Sequence, residues 1–287
     1  MSTQKIENGI FWVGSNDENE GLNCNPYLII DNEEGILIDP GSVLDFDIVY
    51  NNVISLLPIE KIKYVILHHQ DPDFCSSVPL FEHSGAKFQI VTHWRASVLI
   101  KYYGVVSPFY NINENEYKLR LNSGRELSFI PTPYLHFPGA FVTYDFNSKI
   151  LFSSDLFGAF SYNWSLFADE TYIEKMKMFH EHYMPSNEII RPIMEKLLSI
   201  DISMIAPQHG SIIKDNIEKH IKELRELECG EYLKSTKKEV AQNTGYMFIT
   251  GLILKRLYNI FKREEVEQAM DGYVPKNNMG RSDIEMV

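Results

Sequence analysis

The apolar run Tyr64-Val65-Ile66-Leu67 passes directly into His68-His69-Gln70-Asp71-Pro72-Asp73-Phe74-Cys75, and no other stretch constrains the chain as much. The apolar run reads as a buried strand. Ser76-Ser77-Val78-Pro79 has the small polar and proline residues that open helices. A strand therefore has to deliver His69, Asp71 and Asp73 at its own tip. In extended backbone, alternate side chains project to one side, so the three are expected to converge on one point. One imidazole with two carboxylates suits a hard or borderline metal ion. The same letters also fit a solvated polar loop, and the motif alone does not separate the two.

Further apolar runs end in the same kinds of side chain. Pro133-Tyr134-Leu135-His136-Phe137-Pro138-Gly139 carries His136, Phe152-Ser153-Ser154-Asp155-Leu156-Phe157-Gly158 carries Asp155, and Ala206-Pro207-Gln208-His209-Gly210 carries His209. The hairpin Tyr27-Leu28-Ile29-Ile30 to Ile36-Leu37-Ile38 stops at Asp39-Pro40-Gly41, because Pro40 cannot donate to a ladder. Asp39 is read as a supporting residue that holds a ligand imidazole. Taken singly, a histidine after a strand is a loop residue and an aspartate before a turn is turn chemistry. The recurrence at strand ends is what makes a site.

The remaining pattern supports a layered fold. Strands are expected near 10–13, 88–91, 117–121, 127–130, 141–144, 150–153 and 203–206. Helices are expected near 46–57, from 77, and over 95–103, 171–182, 188–198, 216–228 and 237–270. Hairpins with interspersed helices predict two mostly antiparallel sheets packed together with helices outside, an α+β class.

Composition excludes some functions. The net charge is -12, and nucleic acid or an anionic membrane as a main partner would reward clustered Lys and Arg instead. Three scattered cysteines, Cys24, Cys75 and Cys229, without CxxC give no disulfide framework and suit a reducing cytoplasm. The N-terminus has no apolar signal core. The apolar stretch from Tyr246 to Leu254 is too short for a bilayer, which takes roughly 20 residues.

Across roughly residues 5–215, the order His69-x-Asp71-x-Asp73, then His136, Asp155 and His209, resembles the metallo-β-lactamase fold, an αββα four-layer sandwich, and within it the di-iron branch of the flavodiiron proteins. The words Leu135-His136-Phe137-Pro138 and Pro207-Gln208-His209-Gly210 are similar too. Two departures from that pattern stand at the opening stretch. Asp71 occupies the place of the usual Glu or His, and Phe74 that of a metal-binding His. The residues after about 215 offer no Gly/Ser/Thr-rich loop for a flavin phosphate, so no flavin-binding residue is assigned. The chain looks closest to the flavin-lacking, oxygen-binding di-iron proteins of bacterial chemotaxis.

That resemblance implies residues 1–215 as the di-iron domain and 216–287 as a helical extension with a polar tail. It implies two iron ions, with manganese or zinc also fitting the donors: one on His69, Asp71 and His136, the other on Asp73 and His209, with Asp155 between them. Phe74, Phe137, Phe160 and Tyr162 are expected to line an apolar pocket for dioxygen, and no residue is assigned as a catalytic acid or base. The implied function is a cytoplasmic homodimeric oxygen or redox sensor feeding a chemotaxis protein, with at most weak oxidase or peroxidase activity. The alternatives are an oxygen or nitric oxide reductase fed by a separate redox partner, and a zinc-dependent hydrolase.

Overall fold

Two sheets carry the strands among the described residues. In the first, β1 (Gln4–Glu7), β2 (Ile10–Trp12), β3 (Tyr27–Asp31), β4 (Glu34–Ile38), β5 (Ile62–Ile66), β6 (Gln89–Thr92) and β7 (Phe109–Asn111) lie side by side in chain order. In the second, β8 (Lys118–Arg120), β9 (Glu126–Pro131), β10 (Phe141–Asp145), β11 (Ile150–Phe152) and β12 (Met204–Ala206) do the same. The helices that pack on these sheets are α1 (Phe46–Leu56), α2 (Pro72–Cys75), α3 (Val78–His83), α4 (Trp94–Ile100), α5 (Tyr172–Tyr183), α6 (Asn187–Leu197) and α7 (Ile217–Glu226). This computed structural model describes residues 3–15, 21–161, 164–230, 249, 251–262, 265, 266 and 268.

Alternation along each strand sorts the side chains into layers. Ile29, Ile36, Ile38, Ile66 and Val91 of the first sheet face Leu127, Phe129, Phe141, Ile150 and Phe152 of the second, and together they form the interior of the sandwich. The intervening Leu28, Leu37, Val65 and Ile90 turn the other way, onto Val49 and Val53 of α1, Val78 and Phe81 of α3, and Ala96 of α4. On the far side Val142, Leu151 and Ile205 meet Met176 and Phe179 of α5, Ile190 and Met194 of α6, and Ile221 and Leu224 of α7. Strands buried on both faces read as continuous apolar runs, as these do. The result is the expected αββα order of layers.

Pairing is more mixed than the hairpin pattern suggested. β1 to β4 pair antiparallel, but β4 to β7 pair parallel, as do β11 and β12. The parallel strands are joined by helical crossovers, so β4, β5 and β6 point the same way and present their C-terminal ends at one edge. In α/β sheets that edge is where sites form.

The chain divides into a compact unit of residues 1–229 and a second of 230–287. The first takes in α7. In the second unit residues 251–260 are helical, and most of the helix expected over 237–270 lies outside the described residues. No helix among the described residues is long and apolar enough to cross a membrane.

Candidate metal centre

At the end of β5 the chain stays extended through Asp71 (φ -66°, ψ 151°) and then winds into α2, with Pro72 at its first position. This one turn of helix overturns the simple alternation argument. Asp71 remains with the strand-end histidine: its Oδ2 lies 3.4 Å from His69 Nε2 and 3.2 Å from His136 Nε2. Asp73, rotated by the helix, points to a different imidazole, with its Oδ2 3.2 Å from His209 Nε2. The opening motif thus supplies two points rather than one.

Asp155 joins them. Its Oδ2 is 3.0 Å from His136 Nε2 and 3.5 Å from His69 Nε2, and its Oδ1 is 3.5 Å from His209 Nε2. It follows Ser154, whose backbone is left-handed (φ 56°), and Phe157 two residues on is left-handed as well (φ 65°). Such conformations cost about 1–3 kcal/mol in non-glycine residues and collect at functional sites. After His209 the chain needs a true glycine. Gly210 has φ +78°, and a Cβ there would sit 2.5 Å from the Tyr172 hydroxyl.

The other ring nitrogens of two of the imidazoles are engaged from behind. His209 Nδ1 lies 3.0 Å from the Asn23 carbonyl, which accepts only, so Nδ1 carries the proton and Nε2 is left as a lone-pair donor. His69 Nδ1 is 3.3 Å from Ser154 Oγ. His69 and His209 are buried, while His136, Asp71 and Asp73 are 28%, 30% and 32% exposed at the side chain. The cluster therefore opens to solvent on the side of these three.

Three carboxylates facing three imidazoles polarise one another. Hydrogen bonds donated to Asp155 and Asp71 push His136 up to about 10. Burial opposes charge on His69 and His209, but Asp155 and Asp71 for the first, and Asp73 for the second, outweigh it and hold both above the usual histidine value. Burial also opposes charge on Asp71 and Asp155. The same imidazoles nonetheless pull Asp71 well below the carboxylate range and Asp155 down to about 2.

The donor set fits a pair of first-row metal ions. His69 Nε2 and Asp155 Oδ1 are fully buried yet lack a hydrogen-bond partner, since their nearest carboxylate and imidazole atoms stand at 3.4 to 3.5 Å. Orphaned buried polar atoms are rare and call for an explanation such as an ion. Donor atoms of His69, His136 and Asp155 lie within 4.8 Å of one another, and so do those of Cys24, Asp73 and His209.

The remaining assignments divide. The Phe74 ring is buried against the cluster, with centroids 4.0 Å from His69 and 5.9 Å from His209. Phe160 stands one layer back, against Phe179, His182 and Tyr183. Phe179 and Tyr183 are the residues of α5 that approach the cluster, 5.8 Å from His209 and 6.3 Å from His136. The helical spacing of α5 carried them, but nothing in the sequence tied that helix to the site. Phe137 is half-buried, and its carbonyl is the engaged group, accepting from Tyr134 N at 2.8 Å and Ala140 N at 3.0 Å. Tyr162 lies outside the described residues.

Asp39 holds a different imidazole from the one expected. Its Oδ2 is 2.5 Å from His68 Nδ1, and His68 Nε2 reaches Thr143 Oγ1 at 2.8 Å. His68 thus pins the tip of β5 to β10 beneath the cluster instead of entering it. Cys24 was not anticipated at all. It reaches the site through a single bridge between its backbone and that of His209.

Known proteins resemble this chain along the same stretch. The family described as ODP family beta lactamase matches residues 22–210. Two structures of the chemotaxis sensor ODP superpose on 82% of this chain. One is a peroxy diiron species (28% identity, TM-score 0.69, 100% of that chain), and the other is the apo state from T. denticola (29% identity, TM-score 0.71, 97% of that chain). The flavodiiron protein from Giardia intestinalis aligns at 26% identity with TM-score 0.71, over 78% of this chain and 58% of its own. Among curated sequences, the anaerobic nitric oxide reductase flavorubredoxin of Citrobacter koseri is 25% identical over 242 residues, 74% of this chain and 48% of the relative. The chain spans about half to six-tenths of the length of the curated relatives it matches.

Proposed function

The chain belongs to the ODP family of beta lactamases, and from that premise we propose that it is a non-haem di-iron protein that binds dioxygen and serves as an oxygen or redox sensor. One observation carries the reading: the two carboxylate oxygens of Asp155 face separate sets of donors, Asp71, His69 and His136 on one side and Asp73 and His209 on the other. In this reading the first set holds one iron, the second set holds the other, and Asp155 bridges. Bound iron supplies the electrons for reversible dioxygen chemistry, which no amino-acid side chain provides.

The chain's own residues set how that chemistry is used. Carboxylate and imidazole donors suit iron or manganese. Ser154 and the Asn23 carbonyl orient His69 and His209. Phe74 and Phe179 wall the buried side with rings that carry no exchangeable proton. Proton delivery then falls to the part-exposed side, at His136, Asp71 and Asp73. By analogy with the chemotaxis sensor, the same reading assigns signalling to a chemotaxis partner, and it keeps the cytoplasmic homodimer that the sequence resemblance implies.

A second reading, an oxygen or nitric oxide reductase served by a separate redox partner, draws on the similarity to flavorubredoxin. Iron-loaded protein, reduced anaerobically and then exposed to air with excess reductant, separates the two. A sensor gives a long-lived change in the visible spectrum with little oxygen consumed, and a reductase gives sustained consumption.

A further inference from the structure

We infer that Cys24 is a metal ligand, donating a thiolate to the ion held by Asp73, His209 and Asp155. The inference rests on the two-metal reading and adds a donor to it. The Cys24 sulfur, a carboxylate oxygen of Asp73 and a ring nitrogen of His209 lie within 4.8 Å of one another. The backbone bridge between Cys24 and His209 holds the two side by side. The buried, partnerless Oδ1 of Asp155 is aimed into the same space, 3.5 Å from His209 Nε2.

Counting donors makes the case. One side of Asp155 has His69, Asp71, His136 and Asp155 itself, a set of four. The other has Asp73, His209 and Asp155, a set of three, because Phe74 fills the neighbouring space with a ring that cannot bind metal. Cys24 restores four. It also balances charge: three carboxylates and one thiolate offset two divalent ions. A coordinating thiol gives up its proton on binding, so the thiolate forms with the metal and does not precede it. The two positions then differ in kind. The Cys24 side is the softer and favours zinc or a thiolate-accepting iron, while the all-nitrogen-and-oxygen side favours harder ions.

Cobalt(II) reads this directly. The full chain is titrated anaerobically with cobalt(II). Wild type is expected to bind two equivalents, with a sulfur-to-cobalt charge-transfer band in the near ultraviolet appearing with one of them. Cys24→Ser and Cys24→Ala lose the band, keep the d–d bands of the other ion, and bind the affected equivalent about 10-fold or more weakly. Cys229→Ser keeps the band. Bound metal also protects Cys24 from alkylation, followed by peptide mass mapping of wild type. Two cobalt ions with no thiolate band in wild type, or a band that persists in Cys24→Ser, overturn the inference and leave the two-metal reading standing. Failure of wild type to bind two ions overturns both.

Discussion

Phe74 and His69 stack with ring centroids 4.0 Å apart and planes tilted by 57°. Phe74 is wholly buried, it follows Asp73 directly on α2, and it also presents its edge to His209 at 90°. One apolar ring therefore packs against an imidazole from each half of the cluster.

Truncating that ring opens a cavity under both halves. Phe74→Ala is expected to lower the stability of the metal-free protein by about 3–5 kcal/mol, the usual range for a buried phenylalanine. Because Phe74 supplies no donor atom, protein that still folds should take up metal in unchanged stoichiometry. Denaturant unfolding and metal analysis on the same preparation check both halves of this prediction.

Asp155→Asn keeps the shape and removes the charge that faces all three imidazoles. In the metal-free protein the His136 imidazole, now held up to about 10 first by its hydrogen bond to Asp155, should titrate at a lower pH. NMR titration of the ring protons reads this. Metal affinity should fall by at least ~10-fold for both equivalents, since the shared carboxylate serves both.

Metal binding and protons compete at this cluster. Burial alone would favour neutral rings, but the neighbouring carboxylates hold His69, His136 and His209 above the usual histidine value in the metal-free protein. A raised histidine contributes stability that is fully present below its unfolded value and is lost as pH rises through its folded value, about 10 for His136. The metal-free protein should therefore weaken on the alkaline side. Metal must displace the same protons, so affinity should rise with pH and binding should release protons into a weakly buffered solution. Isothermal titration in buffers of different ionisation enthalpy measures that release.

His180 gives the opposite sign on the acid side. Burial lowers it from 6.5 to about 4, and its Nε2 accepts the Phe157 amide at 3.1 Å. A base whose folded value is depressed contributes stability that is present above the unfolded value and is lost as pH falls through the folded one. The difference corresponds to about 3 kcal/mol lost between pH 6.5 and 4. His180→Gln retains an acceptor and should flatten the stability profile in that window relative to wild type, as read by chemical denaturation at a series of pH values.

How much of this was legible in the sequence depended on distance along the chain. The apolar strand runs fixed the layers, and each of His69, His136, Asp155 and His209 could be seen because it followed such a run directly. Local geometry was harder to see. The alternation of His69, Asp71 and Asp73 suggested one convergent point, and the single turn of α2 split it into two. Asp39 was read as a support for a ligand imidazole; its carboxylate meets His68, which looked like a residue that points away from the site. Cys24 and α5 were missed because they reach the cluster only by tertiary packing: a lone bridge to His209 for the first, and Phe179 and Tyr183 for the second.

The central claim, two irons bridged by Asp155, is tested most directly by metal analysis of protein reconstituted anaerobically with ferrous iron, followed by admission of air. The account predicts two irons per chain, a visible absorption change on exposure to air, and loss of both in Asp155→Asn. Two tightly held zinc ions with no uptake of iron would contradict it.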